Sequence, residues 1–308
     1  MPAHWSRCTL YMLGLVTSAL FAPAQAEEPI TLTHQGIERS AILHKPAGSP
    51  PGPLPLVIAL HGYTQSVEHL RSALLLDAAA DREGFAVVYP EAIERTWNYG
   101  VAVGVPAPTI DGQPVDDVGF VRRLIELLTG RNIADPTRIY VVGSSRGGLM
   151  AFTLACVLDD LVAAVAPSIT GMTEPQRRDC RPARPMPIMV IASTEDPVQL
   201  YDGWIFPAGR LLSVPETMEF WRLLHDCTKQ TAKPLPHRER SDETEVLQID
   251  WQGCRNDAEV RLYRVSGGGH QLPSLAAGSE ELANRFGLRN RDFETADEVW
   301  AFFKGISR

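Results

Sequence analysis

Gly143-Ser144-Ser145-Arg146-Gly147 centres a serine in a Gly-x-Ser-x-Gly spacing. The residues before it, Arg138 to Val142, are β-branched and aromatic, and those after it, Leu149 to Ala155, are apolar and read as a buried helix. Strand, sharp turn and helix in that order stand a small hydroxyl clear of a sheet edge, and the glycines let the two backbones pass close together. A serine hydroxyl is a weak nucleophile until a base takes its proton. The same spacing occurs in ordinary turns, so the chemistry depends on what else the chain supplies.

It supplies a carboxylate and an imidazole at the ends of two further strand-like runs. Met186 to Ala192 runs into Ser193-Thr194-Glu195-Asp196-Pro197, and the alternating run Glu259 to Val265 delivers Ser266-Gly267-Gly268-Gly269-His270. Neutral imidazole can accept the serine proton and return it to a leaving group. A carboxylate holds that imidazole in the correct tautomer and stabilises the cation that forms. Ser145, Asp196 and His270 therefore compose a nucleophile, acid and base set, in the chain order an α/β-hydrolase uses. The backbone N–H groups of Arg146 and of Tyr63, after His61-Gly62, are the expected oxyanion donors. Each member also has a plainer reading. His270 alone would be a loop histidine, and Asp196 a turn cap, with Glu195 or Asp202 as substitute acids. His61 precedes the nucleophile and reads as structural or near the oxyanion site rather than as the base. Trp97, Tyr201 and Trp204 are candidate substrate-facing aromatics or, equally, packing residues.

Parallel strands share one carboxyl edge, so these distant side chains can meet there. The elements fit that plan. Ile30 to His34 and Arg39 to His44 form an edge hairpin about Gln35-Gly36, while Pro46 to Pro55 is a surface connector. Leu56–Leu60, Phe85–Pro90 and Leu161–Ala166 are short apolar runs, the mark of strands buried on both faces. Val67 to Arg82, Val118 to Leu128, Pro215 to Leu224 and Asp297 to Phe303 are helical in period. Asp116-Asp117 caps the second of these more readily than it forms a metal or acid–base pair. Residues 91–115 are irregular and long enough to suggest function.

The bulk numbers narrow the classes. A formal net charge of −8 over 308 residues, with no basic run, argues against nucleic acid or an anionic membrane as partner. Residues 1–26 have the three-part plan of a secretory signal: Arg7, the apolar stretch Leu10 to Ala22, and the small-residue site at Ala24-Gln25-Ala26. The expectation is an exported protein with no membrane attachment after cleavage and one domain over 27–308. The four cysteines beyond residue 26, Cys156, Cys180, Cys227 and Cys254, are an even set for an oxidising compartment. Their order suggests Cys156–Cys180 and Cys227–Cys254, although three pairings are open. No close Cys-x-x-Cys pair supports zinc, so no metal and no cofactor is expected.

Five stretches together carry a resemblance: His61-Gly62-Tyr63-Thr64-Gln65-Ser66, Gly84-Phe85-Ala86-Val87-Val88-Tyr89-Pro90-Glu91, Val115-Asp116-Asp117-Val118-Gly119-Phe120, Gly143-Ser144-Ser145-Arg146-Gly147-Gly148 and Gly267-Gly268-Gly269-His270. They resemble the secreted polyhydroxybutyrate-depolymerase-like, feruloyl and acetylxylan esterases, from about His44 to His270. The resemblance implies an α/β-hydrolase fold, catalysis by Ser145, Asp196 and His270, and cysteine placements in line with the pairing above. Two departures bear on substrate. Members commonly carry Asn where Arg146 stands, and many follow the final histidine with Thr-Trp-Pro where this chain has Gln271-Leu272-Pro273. The expected function is hydrolysis of feruloyl or acetyl esters of cell-wall polysaccharide, or of small aromatic esters, through an acyl-enzyme. Polyhydroxyalkanoate oligomers are the alternative substrate, and a binding protein on an inactive hydrolase scaffold is the alternative class.

Overall fold

A computed structural model describes Met1 and residues 27–100, 106–206, 209–239 and 242–308. The segment read as a secretory signal lies outside the described residues, apart from Met1. The chain opens with an antiparallel hairpin, β1 (Glu28–His34) and β2 (Ile37–His44), as the Gln35-Gly36 turn requires. Then come β3 (Leu54–Leu60), α1 (Val67–Leu74), α2 (Leu76–Glu83) and β4 (Ala86–Pro90). A two-strand clip, β5 (Thr109–Ile110) with β6 (Gln113–Pro114), interrupts the long loop before α3 (Asp117–Gly130). β7 (Ala134–Ser144), α4 (Arg146–Val157), β8 (Ala164–Ser168), α5 (Glu174–Asp179) and β9 (Ile188–Ser193) follow. A second small hairpin, β10 (Trp204–Phe206) with β11 (Gly209–Leu211), precedes α6 (Val214–Leu224). β12 (Lys229–Pro234), β13 (Glu245–Gln252), β14 (Val260–Ser266), α7 (Glu280–Phe286) and α8 (Thr295–Phe303) complete the chain.

Among the described residues the main sheet runs β1-β2-β4-β3-β7-β8-β9-β14-β13-β12. The six central strands, β4 to β14 in that order, are parallel, and an antiparallel pair extends each side. This is the α/β-hydrolase architecture, a mostly parallel sheet with helices on both faces. Alternation along a strand explains the two layers. Leu56, Ile58 and Leu60 of β3 face one core with Phe120 and Leu124 of α3, Met150 and Phe152 of α4 and Trp221 of α6. Val57 and Ala59 face the other, with Leu70 and Leu74 of α1, Ala79 of α2 and Trp300 and Phe303 of α8. Burying each large side chain is worth about 1.5–3 kcal/mol relative to exposure.

Three local readings change. The helix expected over 67–82 is two helices, because Leu75 takes a left-handed conformation (φ 55°, ψ 28°) and caps both. Asp116 does cap α3, accepting from Gly119 N at 2.8 Å, but Asp117 does not act as a cap. It is fully buried, pairs with Arg39 at 2.6 Å and accepts from Asn98 N at 2.7 Å. Burial pushes its carboxyl above the ordinary range while Arg39 and the Asn98 amide pull it down. The pair anchors the long loop to the β1–β2 hairpin. The strand read as Leu161–Ala166 begins only at Ala164 and runs on to Ser168. The cysteines pair as their order suggests: Cys156 with Cys180 and Cys227 with Cys254.

Candidate active site

Ser145 sits between β7 and α4 with φ 54° and ψ −115°, a conformation that L-residues avoid. Close packing imposes it. A methyl group on Gly147 would lie 2.2 Å from the Leu60 carbonyl oxygen, and one on Gly143 would lie 2.0 Å from that of Gly147. The start of α4 is thus pressed against the end of β3 and the turn has no room to relax. Ser145 N donates to Ser168 O at 2.9 Å, which fixes the turn to the end of β8.

His270 arrives from the end of β14. Its N–H donates to Phe286 O at 2.6 Å, and Gly269 N donates to Leu288 O at 2.7 Å, so α7 and the residues after it hold the loop. The acid loop after β9 is tied to the same place, since Glu195 N donates to Gly268 O at 3.0 Å. Asp196 accepts two backbone amides on Oδ1, from Val198 and Gln199, each at 2.8 Å. That leaves Oδ2 for His270 Nδ1 at 2.7 Å, and His270 Nε2 lies 3.0 Å from Ser145 Oγ. With Nδ1–H donating to the carboxylate, Nε2 is the acceptor that faces the serine hydroxyl. Ser145 and Asp196 are buried, and the His270 side chain retains 10% exposure. The structure therefore brings these three residues together from the ends of β7, β9 and β14.

The end of β3 comes alongside. A methyl on Gly62 would lie 3.4 Å from Ser144 O, which places the Gly62–Tyr63 peptide beside the Ser145 turn. His61 is fully buried with both ring nitrogens used: Nδ1–H donates to Gly62 O at 2.8 Å, and Nε2 accepts from Ala92 N at 3.1 Å. Burial pushes its pKa below the ordinary imidazole value. It is a neutral strut for this loop, in keeping with the structural reading.

The aromatic candidates separate. Trp97 is not substrate-facing: it is fully buried, tilted against His61 with ring centres 5.1 Å apart, and its indole N–H donates to His61 O at 2.9 Å. Its size and its one donor suit it to fill the space behind the loop. Tyr201 is partly buried and packs against the α4 side of the core. Trp204 keeps 49% exposure on β10 and stacks on Phe206 at 5.9 Å. Arg146, where family members commonly carry Asn, turns inward and is only 4% exposed. Its Nε donates to Trp97 O at 3.2 Å and its Nη2 to Pro106 O at 3.1 Å. Nothing in the spacing of Trp97 and Arg146 signals that they meet. Among the described residues no group of three His, Cys, Asp or Glu could hold a metal ion.

The family model described as Esterase PHB depolymerase matches residues 39–209. The chain belongs to that family. Among similar proteins, "Putative esterase NocK" of Nocardia uniformis subsp. tsuyamanensis is 36% identical over 88% of this chain and 80% of its own length. "Feruloyl esterase B" of Piromyces equi is 28% identical over 70% of this chain, which spans only 39% of that protein. The acetyl xylan esterase structure from Aspergillus awamori superposes with a TM-score of 0.56 at 12% identity, over 86% of this chain and 93% of that one, a likeness of fold. As a member of an esterase family, the chain is a carboxylic-ester hydrolase.

Proposed function

We propose that this PHB-depolymerase-type esterase works by serine acyl transfer, with Ser145 as nucleophile, His270 as general base and then acid, and Asp196 as the group that orients and stabilises the imidazole. The continuous hydrogen-bond line from Ser145 Oγ through His270 to Asp196 carries the reading. Attack of Oγ on the ester carbonyl transfers the serine proton to Nε2, which returns it to the departing alkoxide. Water then repeats the cycle on the acyl-enzyme and releases the acid. The amides of Tyr63 and Arg146 are the proposed donors to the oxyanion, and losing such a donor typically costs about 3 kcal/mol.

The proposed substrates are feruloyl or acetyl esters of plant cell-wall polysaccharide, or small aromatic esters, with Trp204 as the proposed contact. Relatives named as a feruloyl esterase and as a bifunctional acetylxylan esterase/xylanase support this class. Hydroxyalkanoate oligomers form the second reading. A poly(3-hydroxyalkanoate) depolymerase from Paucimonas lemoignei is 29% identical over 42% of the chain, and Val198, Trp204 and Ile205 leave apolar surface exposed on the chain that follows the acid. Two disulfides suit an oxidising compartment, in support of secretion after removal of residues 1–26. Rates on methyl ferulate, acetylated xylan and hydroxybutyrate oligomers, measured on residues 27–308, test the substrate. Fluorophosphonate labelling with peptide mapping tests the nucleophile, and modification at a residue other than Ser145 rejects the mechanism.

A further inference from the structure

We infer that the Arg146 side chain is a positioning residue for the oxyanion site, through a brace that joins both of its proposed donors. The inference rests on the serine mechanism above. Arg146 provides one donor with its own amide, while its guanidinium lies over the ring of Tyr63, the residue providing the other, at 5.7 Å. The same guanidinium lies 4.9 Å over Tyr99 and donates to the carbonyls of Trp97 and Pro106. Trp97 passes the restraint on, because its indole donates to His61 O and His61 Nδ1–H donates to Gly62 O, one residue before Tyr63. Starting from α4, the brace runs through the long loop and back to the end of β3.

The chemistry of the guanidinium fits this use. A cation with 4% exposure is costly unless its donors and its charge are met, and burial lowers the Arg146 pKa while Tyr99, Tyr63 and Asp117 oppose that shift. Two carbonyl acceptors and two aromatic faces answer a planar, forked cation, whereas the point charge of a lysine reaches fewer of them. Such a buried side chain does not face substrate. Its effect on the reaction falls on where the Tyr63 and Arg146 amides stand when charge develops on the carbonyl oxygen. Preorganised donors act in the transition state and little in the ground state.

The test compares Arg146→Met, Arg146→Lys and Trp97→Phe with the native enzyme on p-nitrophenyl acetate. Arg146→Met is expected to lower kcat about 10- to 100-fold, below the roughly 10²–10³-fold loss of an entire oxyanion donor, with KM changed less than about threefold. Arg146→Lys should recover part of the loss. Trp97→Phe keeps the ring but removes the link to His61, and should lower kcat by a smaller factor. The double variant should fall well short of the product of the single losses, since the two act as one unit. Affinity for a boronic acid should drop in parallel with kcat. A rise in KM with kcat intact, or multiplicative losses in the double variant, overturns the brace. If Arg146→Met does not fold, Trp97→Phe with the boronic acid decides: unchanged kcat and affinity reject the inference. Fluorophosphonate labelling of Ser145 in the native enzyme checks the mechanism beneath it separately.

Discussion

Ser145 is held where a residue with a side chain is strained, and the strain and the chemistry can be separated by mutation. Ser145→Ala is expected to reduce turnover by at least about 10⁴-fold, because the remaining groups cannot replace the proposed nucleophile. Ser145→Gly should be equally inactive yet more stable than Ser145→Ala by about 1 kcal/mol, since glycine accepts φ near 54° without penalty. Paired urea titrations of the two variants measure the difference. His61 gives a second residue-scale expectation. Burial holds its folded pKa below the free value of 6.5, and the same is true of His225. The unfolded chain therefore binds protons first as pH falls through about 6.5, and stability drops with it until the folded values are reached. Urea midpoints should fall between pH 7.5 and 5.5, and His61→Gln should flatten that slope. An unchanged slope would mean that His61 titrates normally in the folded protein.

At the scale of elements, the central strands were legible because both of their faces are buried. Leu56–Leu60 and Met186–Ala192 are continuous apolar runs, and the residues at their ends followed from the shared carboxyl edge. β12 was not legible: every residue of Lys229–Pro234 is exposed, so no apolar period marks it as a strand. Its pairing with β13, not its own composition, makes it one. The region 200–258 holds α6 and two strands of the main sheet, β12 and β13, among its described residues. The break at Leu75 escaped for a related reason, since the 3.6-residue period continues across it while the backbone does not. Leu75 is a non-glycine in the left-handed region with 38% exposure. Leu75→Gly should therefore raise stability by about 0.5–1 kcal/mol, with Leu75→Ala giving no such gain. Gly147→Ala should do the opposite. Its added carbon collides with the Leu60 backbone, so loss of both soluble yield and ester hydrolysis is expected.

For the whole molecule, the three side chains that meet at the site were readable because their types and order are those the proposed reaction demands. The brace through Trp97 and Arg146 was not, because it joins residues 49 apart through a backbone carbonyl, an acceptor that every residue carries. The disulfides close loops with separations of 24 and 27 residues, each worth about 3.5 kcal/mol if unfolded-chain entropy dominates. Cys180, Cys227 and Cys254 are buried with the layer formed by α3, α4 and α6, and Cys156 packs against it. Among the described residues neither crosslink touches the layer of α1, α2 and α8. Among the described residues the crosslinks thus reinforce one side, the side on which α4 begins at the proposed nucleophile. Hydrogen exchange should show α1, α2 and α8 opening first on warming, with amides of α4 still protected. A reductant should erase most of that order, so that the half bearing the chemistry loses its advantage in endurance.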